Sequence, residues 1–239
     1  MAPPIFKRIL YKVSGEALMG DQGFGIDPKA VSRIVDDIVA ARQLGVSIAL
    51  VVGGGNIFRG VSLAAKGADR VTGDHMGMLA IIMNALSLRM AFEDRDVPAV
   101  VLSGIAAPQV CETFTQRALI EHRDAGKIII FAGGTGNPFF TSDTAAALRA
   151  AEFGADAILK GTQVDGIYSA DPKSDPNAEW LPQLSYADFL NRGLKVMDAA
   201  AVSLARENNV AIMVFSIREP GELSRVLQGE GHYSTVSGD

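Results

Sequence analysis

Cysteine is almost missing from this sequence. The single Cys111 excludes an intrachain disulfide and any cysteine-based zinc cluster, which points to a reducing cytoplasm. An excess of basic residues is missing too. The net charge of −5 provides no global positive field for nucleic acid, so anions must be met by local cations, backbone N–H groups or a metal. No clean apolar run reaches membrane-spanning length. The most apolar stretch, His75–Phe92, is interrupted by Gly77, Asn84, Ser87 and Arg89, and is expected to bury all its faces in protein. The start, Met1 to Arg8, lacks the pattern of a signal peptide. Two familiar phosphate signatures are also absent. Gly126-Lys127 is followed by Ile128, so there is no G-x-x-x-x-G-K-[ST]. Phe58 and Phe139 stand where G-x-G-x-x-G needs its last glycine.

What is present is an apolar, glycine-rich chain of 239 residues, 48% hydrophobic with 25 glycines, enough for one substantial α/β domain. Short apolar, β-branched runs predict strands at Arg8–Val13, Val46–Val52, Ala99–Leu102, Lys127–Ala132, Ala155–Lys160 and Val210–Phe215. Helices are expected between them. One runs from the Asp27-Pro28 cap to about Leu44, then others over His75–Phe92, Thr115–Ala125, Ser142–Phe153, Asp198–Asn208 and Pro220–Leu227. Alternating strands and helices predict an α/β fold with a mainly parallel central sheet sandwiched by helices. No repeat or long linker divides the chain.

Two glycine loops follow buried strands. Gly53-Gly-Gly-Asn-Ile-Phe-Arg59 follows the second strand, and packing alone does not account for three successive glycines there. Gly133-Gly-Thr-Gly-Asn-Pro-Phe-Phe-Thr-Ser-Asp143 leads into a helix capped by Thr141 or Ser142, whose N-terminus suits a phosphate. Lys12 and Lys160 lie at strand ends, where open α/β sheets bind ligands. Arg59 can add a charge-assisted contact to an oxyanion. Asp74 reads either as the cap of the apolar helix or as an acceptor for sugar hydroxyls. Met76, Leu79, Met83, Leu86 and Met90 form a stripe suited to core or subunit interface.

These residues, in this order, resemble the amino acid kinase family, and within it the members that phosphorylate UMP. The matching stretches include Lys12-Val-Ser-Gly-Glu-Ala17, Gly53–Gly60, Gly73-Asp-His-Met-Gly-Met-Leu79, Gly133–Asp143, Lys160-Gly-Thr162, Val164–Tyr168, Ala170-Asp-Pro172 and Leu194–Asp198. They span nearly the whole chain. The resemblance implies a single domain whose N-terminal part, about 1–155, holds UMP and whose C-terminal part, about 156–239, holds ATP. It implies transfer of the ATP γ-phosphoryl group to UMP with Mg²⁺, the metal held by nucleotide phosphates and water rather than by a cage of side chains. Lys12, Arg59, Asp143 and Lys160 would be catalytic. ATP would meet Lys12, Val13, Ser14, Gly15, Gly55, Arg59, Thr162, Tyr168 and Asp171. UMP would meet Gly54, Asp74, Thr135, Gly136, Asn137, Pro138, Phe139, Phe140, Thr141 and Ser142. Family members of this kind are homohexamers, activated by GTP and inhibited by UTP. Gly20, Asp21, Gln22, Gly23, Phe24 and Gly25 resemble the loop tied to GTP activation.

The chemistry agrees with the residues. The second pKa of a phosphate monoester is about 6, so the attacking oxygen of UMP is already largely ionised. No general base is then required, and His75, His122 and His232 lie in unrelated contexts. The task is to hold two polyanions in line and neutralise charge. Two other readings stay open at this point: a kinase of the same fold acting on a carboxylate or carbamate, and a nucleotide sensor without turnover.

Overall fold

The computed structural model describes residues 2–58, 69–172 and 174–238. Arg59, assigned to the phosphates by its sequence context, lies outside the described residues. Among those described, nine strands form one sheet: β1 (Arg8–Val13), β2 (Ser47–Val52), β3 (Ala99–Ser103), β4 (Glu112–Thr113), β5 (Ile128–Ala132), β6 (Ala157–Thr162), β7 (Gln183–Leu184), β8 (Ala211–Ser216) and β9 (Tyr233–Val236). Their order is β4-β3-β5-β2-β1-β6-β8-β9-β7. Neighbours run parallel except at β8–β9, so β9 and β7 form an edge of opposite direction.

The helices are α1 (Pro28–Arg42), α2 (Arg70–Glu93), α3 (Gln116–Asp124), α4 (Ser142–Phe153), α5 (Tyr186–Asn191), α6 (Ala199–Glu207) and α7 (Glu222–Leu227). The central strands are apolar on both faces because both are covered. Ile9, Tyr11 and Val13 of β1 pack with α1, α2 and α7. Leu10 of the same strand packs with α3, α4, α5 and α6 on the other face. This alternation puts Lys12 on the α4 face.

Register then fixes the lysines. Lys12 stands opposite Lys160 on the neighbouring parallel strand β6. Partners in register point to the same face, so both lysines emerge side by side beneath α4.

Three expectations need correction. First, α2 starts at Arg70, capped by Asp69, whose carboxylate accepts from the Thr72 N–H at 2.7 Å. Asp74 therefore lies inside the helix and is not its cap. Second, α2 does not bury all its faces within the chain. Gly73, Met78, Ile81, Ile82, Ala85 and Leu88 are buried, but Met76, Leu79, Met83 and Met90 are exposed. By length and composition this helix would suffice to cross a membrane. In this fold its buried face instead packs on the sheet beside α1.

Third, packing does explain part of the Gly53–Gly55 run. A Cβ on Gly54 would lie 2.9 Å from the Gly77 carbonyl oxygen and 3.1 Å from the Ala80 Cβ. The loop passes against α2 closely enough to demand glycine. The close neighbour is protein, not ligand.

Strands β4, β7 and β9 and helix α5 had no expectation in the sequence. The Gly20–Gly25 stretch holds a 3-10 turn over Gly20–Gln22. Its end is tied to the glycine loop: Gly25 N–H donates to the Asn56 carbonyl at 2.8 Å, and Asn56 Nδ2 donates to the Gly25 carbonyl at 2.8 Å.

Candidate active site

The site grows from the start of α4. Thr141 caps that helix, its Oγ1 accepting from the Asp143 and Thr144 N–H groups. The cap falls on Thr141, not Ser142. It fixes Asp143 in the first turn, aimed at the sheet face that carries the lysines. Asp143 Oδ1 lies 2.9 Å from Lys12 Nζ and Oδ2 lies 2.7 Å from Lys160 Nζ. The three side chains are only 9–15% exposed.

Burial pushes the Asp143 carboxyl up, but the two ammonium groups outweigh it and hold it below the usual carboxylate range. Lys160 is depressed from the ordinary lysine value, first by burial and then by the charge of Lys12, with Asp143 opposing both. Lys160 also donates to the Val196 carbonyl. One carboxylate between two ammoniums leaves a net positive charge toward the C-terminal ends of β1 and β6, although β6 runs two residues past Lys160, to Thr162, and does not end at the lysine as its sequence suggests. That charge suits an incoming phosphate.

Two cavities open near this cluster. On one side, Gly54, Gly55, Asp74, Thr135, Asn137 and Ser142 are among the lining of a cavity of about 270 Å³. Phe140 and Thr141 also line it, whereas Gly136, Pro138 and Phe139 are not part of its wall. Asp74 is already engaged: Arg70 Nε donates to both its oxygens at 2.8 and 2.9 Å, and the Phe139 N–H donates to Oδ2 at 2.7 Å.

That last bond anchors an unusual residue. Phe139 has φ = +72° and is 66% exposed, a left-handed conformation that a bulky side chain adopts only when its surroundings impose it. Gly136, at φ = +80°, has no such alternative. A Cβ there would sit 2.5 Å from the Gly104 carbonyl oxygen.

On the other side, Tyr168, Asp171, Arg192, Lys195 and Val196 line a cavity of about 510 Å³. Val196 accepts from Lys160, so the Lys12–Asp143–Lys160 cluster touches this wall. Tyr168 donates to Asp165 Oδ1 at 2.7 Å, which holds its hydroxyl above the usual tyrosine range. Thr162 does not line this cavity. Its hydroxyl is turned onto its own chain, donating to the Val164 carbonyl at 2.7 Å. Val13, Ser14 and Gly15 follow Lys12 directly, and the Ser14 side chain accepts from the Glu16 N–H.

Sequence reasoning missed four residues here. Asp198 joins two helix starts: it caps α6 by accepting from the Ala201 N–H, and its other oxygen accepts from Thr141 and from Thr144 at 2.9 Å. Its capping position was legible, but its bonds across to α4 were not. Arg70 was signalled only by standing four residues before Asp74, one helical turn away. Arg192 precedes Gly193 in a loop outside any matching stretch, and Lys195 lies within the Leu194–Asp198 stretch without a role of its own assigned there. Among the described residues, no three or more His, Cys, Asp or Glu side chains gather as a metal cage.

Comparison with known proteins agrees with this architecture. The amino acid kinase family pattern matches residues 7–216. The uridylate kinase of Brucella suis biovar 1 (strain 1330) is 62% identical over 234 residues, covering 98% of each chain. The uridylate kinase of Rhizobium meliloti (strain 1021) is 60% identical over 236 residues, covering 99% of this chain and 98% of its own. Among solved structures, UMP kinase from Bacillus anthracis superposes with a TM-score of 0.93 at 38% identity, covering 98% of this chain and 97% of its own. UMP kinase from Ureaplasma parvum superposes with a TM-score of 0.92 at 36% identity, covering 97% and 99%. With the pattern matched across most of its length and full-length relatives at this identity, the chain belongs to the amino acid kinase family.

Proposed function

We propose that this kinase transfers the γ-phosphoryl group of ATP to UMP, forming UDP and ADP, as a step of pyrimidine nucleotide biosynthesis in the cytoplasm. The observation that carries the reading is the Lys12–Asp143–Lys160 cluster with a cavity on either side. The full-length likeness to uridylate kinases supports UMP as the acceptor.

In this reading UMP occupies the smaller cavity. Gly54, Thr135, Asn137, Phe140, Thr141 and Ser142 surround its phosphate and base, with Gly136, Pro138 and Phe139 shaping the segment behind that wall, and Asp74 accepts from its ribose. ATP occupies the larger one, with Tyr168 and Asp171 at base and ribose and Thr162 behind them. Its phosphates reach toward Lys12, Val13, Ser14, Gly15, Gly55 and Arg59. Lys12 and Lys160 neutralise charge as it spreads over the transferring group, and Asp143 holds them in position without taking a proton. The donor set fits Mg²⁺ carried by the nucleotide, since Asp143 is committed to two lysines. When bound, the ion would neutralise phosphate charge and orient the ATP tail.

Regulation and assembly complete the proposal. GTP activates through the Gly20–Gly25 loop, UTP inhibits, and the exposed apolar face of α2 joins subunits in a homohexamer. The test is ADP release from Mg·ATP with UMP, CMP, dTMP, AMP, aspartate and carbamate in parallel. Fast turnover with UMP alone is expected. Turnover only with aspartate or carbamate would keep the fold and overturn the acceptor assignment.

A further inference from the structure

Asn56 and Asn84 are buried polar side chains, 2% and 0% exposed, that no step above uses. Asn56 follows the Gly53–Gly55 run, and Asn84 sits in the middle of α2. Their amides face each other. Asn56 Nδ2 donates to Asn84 Oδ1 at 3.0 Å, and Asn84 Nδ2 donates to Asn56 Oδ1 at 2.7 Å. Each amide spends its second N–H on a loop carbonyl. Asn84 Nδ2 donates to Gly53 O at 2.7 Å, and Asn56 Nδ2 donates to Gly25 O at 2.8 Å. All four side-chain N–H groups are therefore used.

The pair thus ties together the end of β2, the middle of α2 and the Gly20–Gly25 loop. It also meets Gly15: a Cβ there would lie 2.7 Å from Asn56 Oδ1 and 2.7 Å from Gly53 O. A site needing only packing is served at least as well by apolar side chains, since a buried polar pair contributes little net stability for the desolvation it incurs. A fully satisfied amide pair adds direction instead. It sets where the Gly53–Gly55 backbone stands relative to Gly15.

We propose that the Asn56–Asn84 amide pair is a positioning element for phosphoryl transfer, holding the glycine-loop N–H groups where the phosphates of both substrates meet. It rests on the reading that Gly54 and Gly55 face those phosphates. The two residues act as a unit, so losing either loosens the same loop.

The test compares Asn56→Ala, Asn84→Ala and the double variant with the unmodified protein, measuring kcat and KM for UMP and ATP alongside circular dichroism. Each folded single variant is expected to lose tenfold or more in kcat. The double is expected to be no worse than the poorer single, because one coupled device is removed once. Folded singles within twofold of the unmodified kcat, or losses that multiply in the double, overturn the proposal.

Asn84→Asp keeps the test decisive if Asn84→Ala does not fold. Its carboxylate would face the Gly53 and Asn56 oxygens, and protonation restores one donor. Its kcat relative to the unmodified protein is expected to rise as pH falls from about 8 to about 6, the window into which burial beside other acceptors raises a carboxyl. A flat ratio counts against the pair as a positioning device. If the unmodified protein forms no UDP, the site reading fails and this proposal fails with it. UDP formation with unchanged variants sinks the proposal alone.

Discussion

At the scale of single residues, Asp143 matters most. Its carboxylate meets two ammonium groups brought together by strand register, and all three are largely buried. Asp143→Asn would leave two like charges side by side without a counter-ion. Breaking a buried pair in this way costs about 3–5 kcal/mol, read as a lowered urea midpoint at pH 7. The pH dependence follows from sign. Lys160 is already depressed by burial and by Lys12, and losing Asp143 lowers it further. The folded variant then prefers the neutral amine while the unfolded chain stays protonated up to about 10.4. Its stability should therefore recover as pH rises from 7 toward 10, narrowing the gap to the unmodified protein. A gap that is constant or wider at high pH would contradict the charge account. In the unmodified protein the Asp143 carboxyl is lowered, so its contribution is present above the ordinary aspartate value and is lost as pH falls below about 4.

The residues that make this cluster were visible in the sequence as two strand-end lysines and a first-turn aspartate. Their meeting was legible only through the family resemblance, which groups them as one catalytic set, and not from local pattern. It depends on Lys12 standing opposite Lys160, and the register of two parallel strands far apart in sequence leaves no local mark. Asp198 shows the same limit, since capping is local whereas its bonds to Thr141 and Thr144 are tertiary. Asp74 shows how a local rule can mislead: Asp69 competes for the cap five residues earlier and wins.

At the scale of elements, the contact between the Gly53–Gly55 loop and α2 joins the sheet to the smaller cavity, where the proposed function seats UMP. Gly54→Ala would drive a methyl against the Gly77 backbone. Overpacking of this kind costs about 1–3 kcal/mol. Because Gly54 also lines the cavity, the KM for UMP should rise while the fold survives. An unchanged melting temperature and unchanged KM would show that the loop and helix separate freely. Elements with a long apolar period were legible, including all the central strands. The short edge elements were not. β7 has two residues, too few to express a period, and α5 has six without the Pro-Gly start that marked the equally short α7; their place comes from packing against α6 and β9.

At the scale of the whole molecule, α2 has two characters. One face completes the core, while Met76, Leu79, Met83 and Met90 stand 43–61% exposed on the other. Apolar stripes of this kind mark interaction surfaces. Met83→Glu should leave the protomer folded and shift its sedimentation toward smaller species. A sedimentation coefficient equal to that of the unmodified protein would remove α2 from the proposed subunit interface. The stripe was legible as a spacing, but composition alone could not say whether it faced inward or outward.

The central claim is transfer between two nucleotides, and it is tested most directly by following the γ-phosphorus of ATP by ³¹P NMR in the presence of UMP and Mg²⁺. The account predicts that this phosphorus becomes the β-phosphate of UDP, in step with ADP, and that Asp143→Asn abolishes the transfer. Bound ATP with no UDP, or release of the label only as inorganic phosphate, would contradict it.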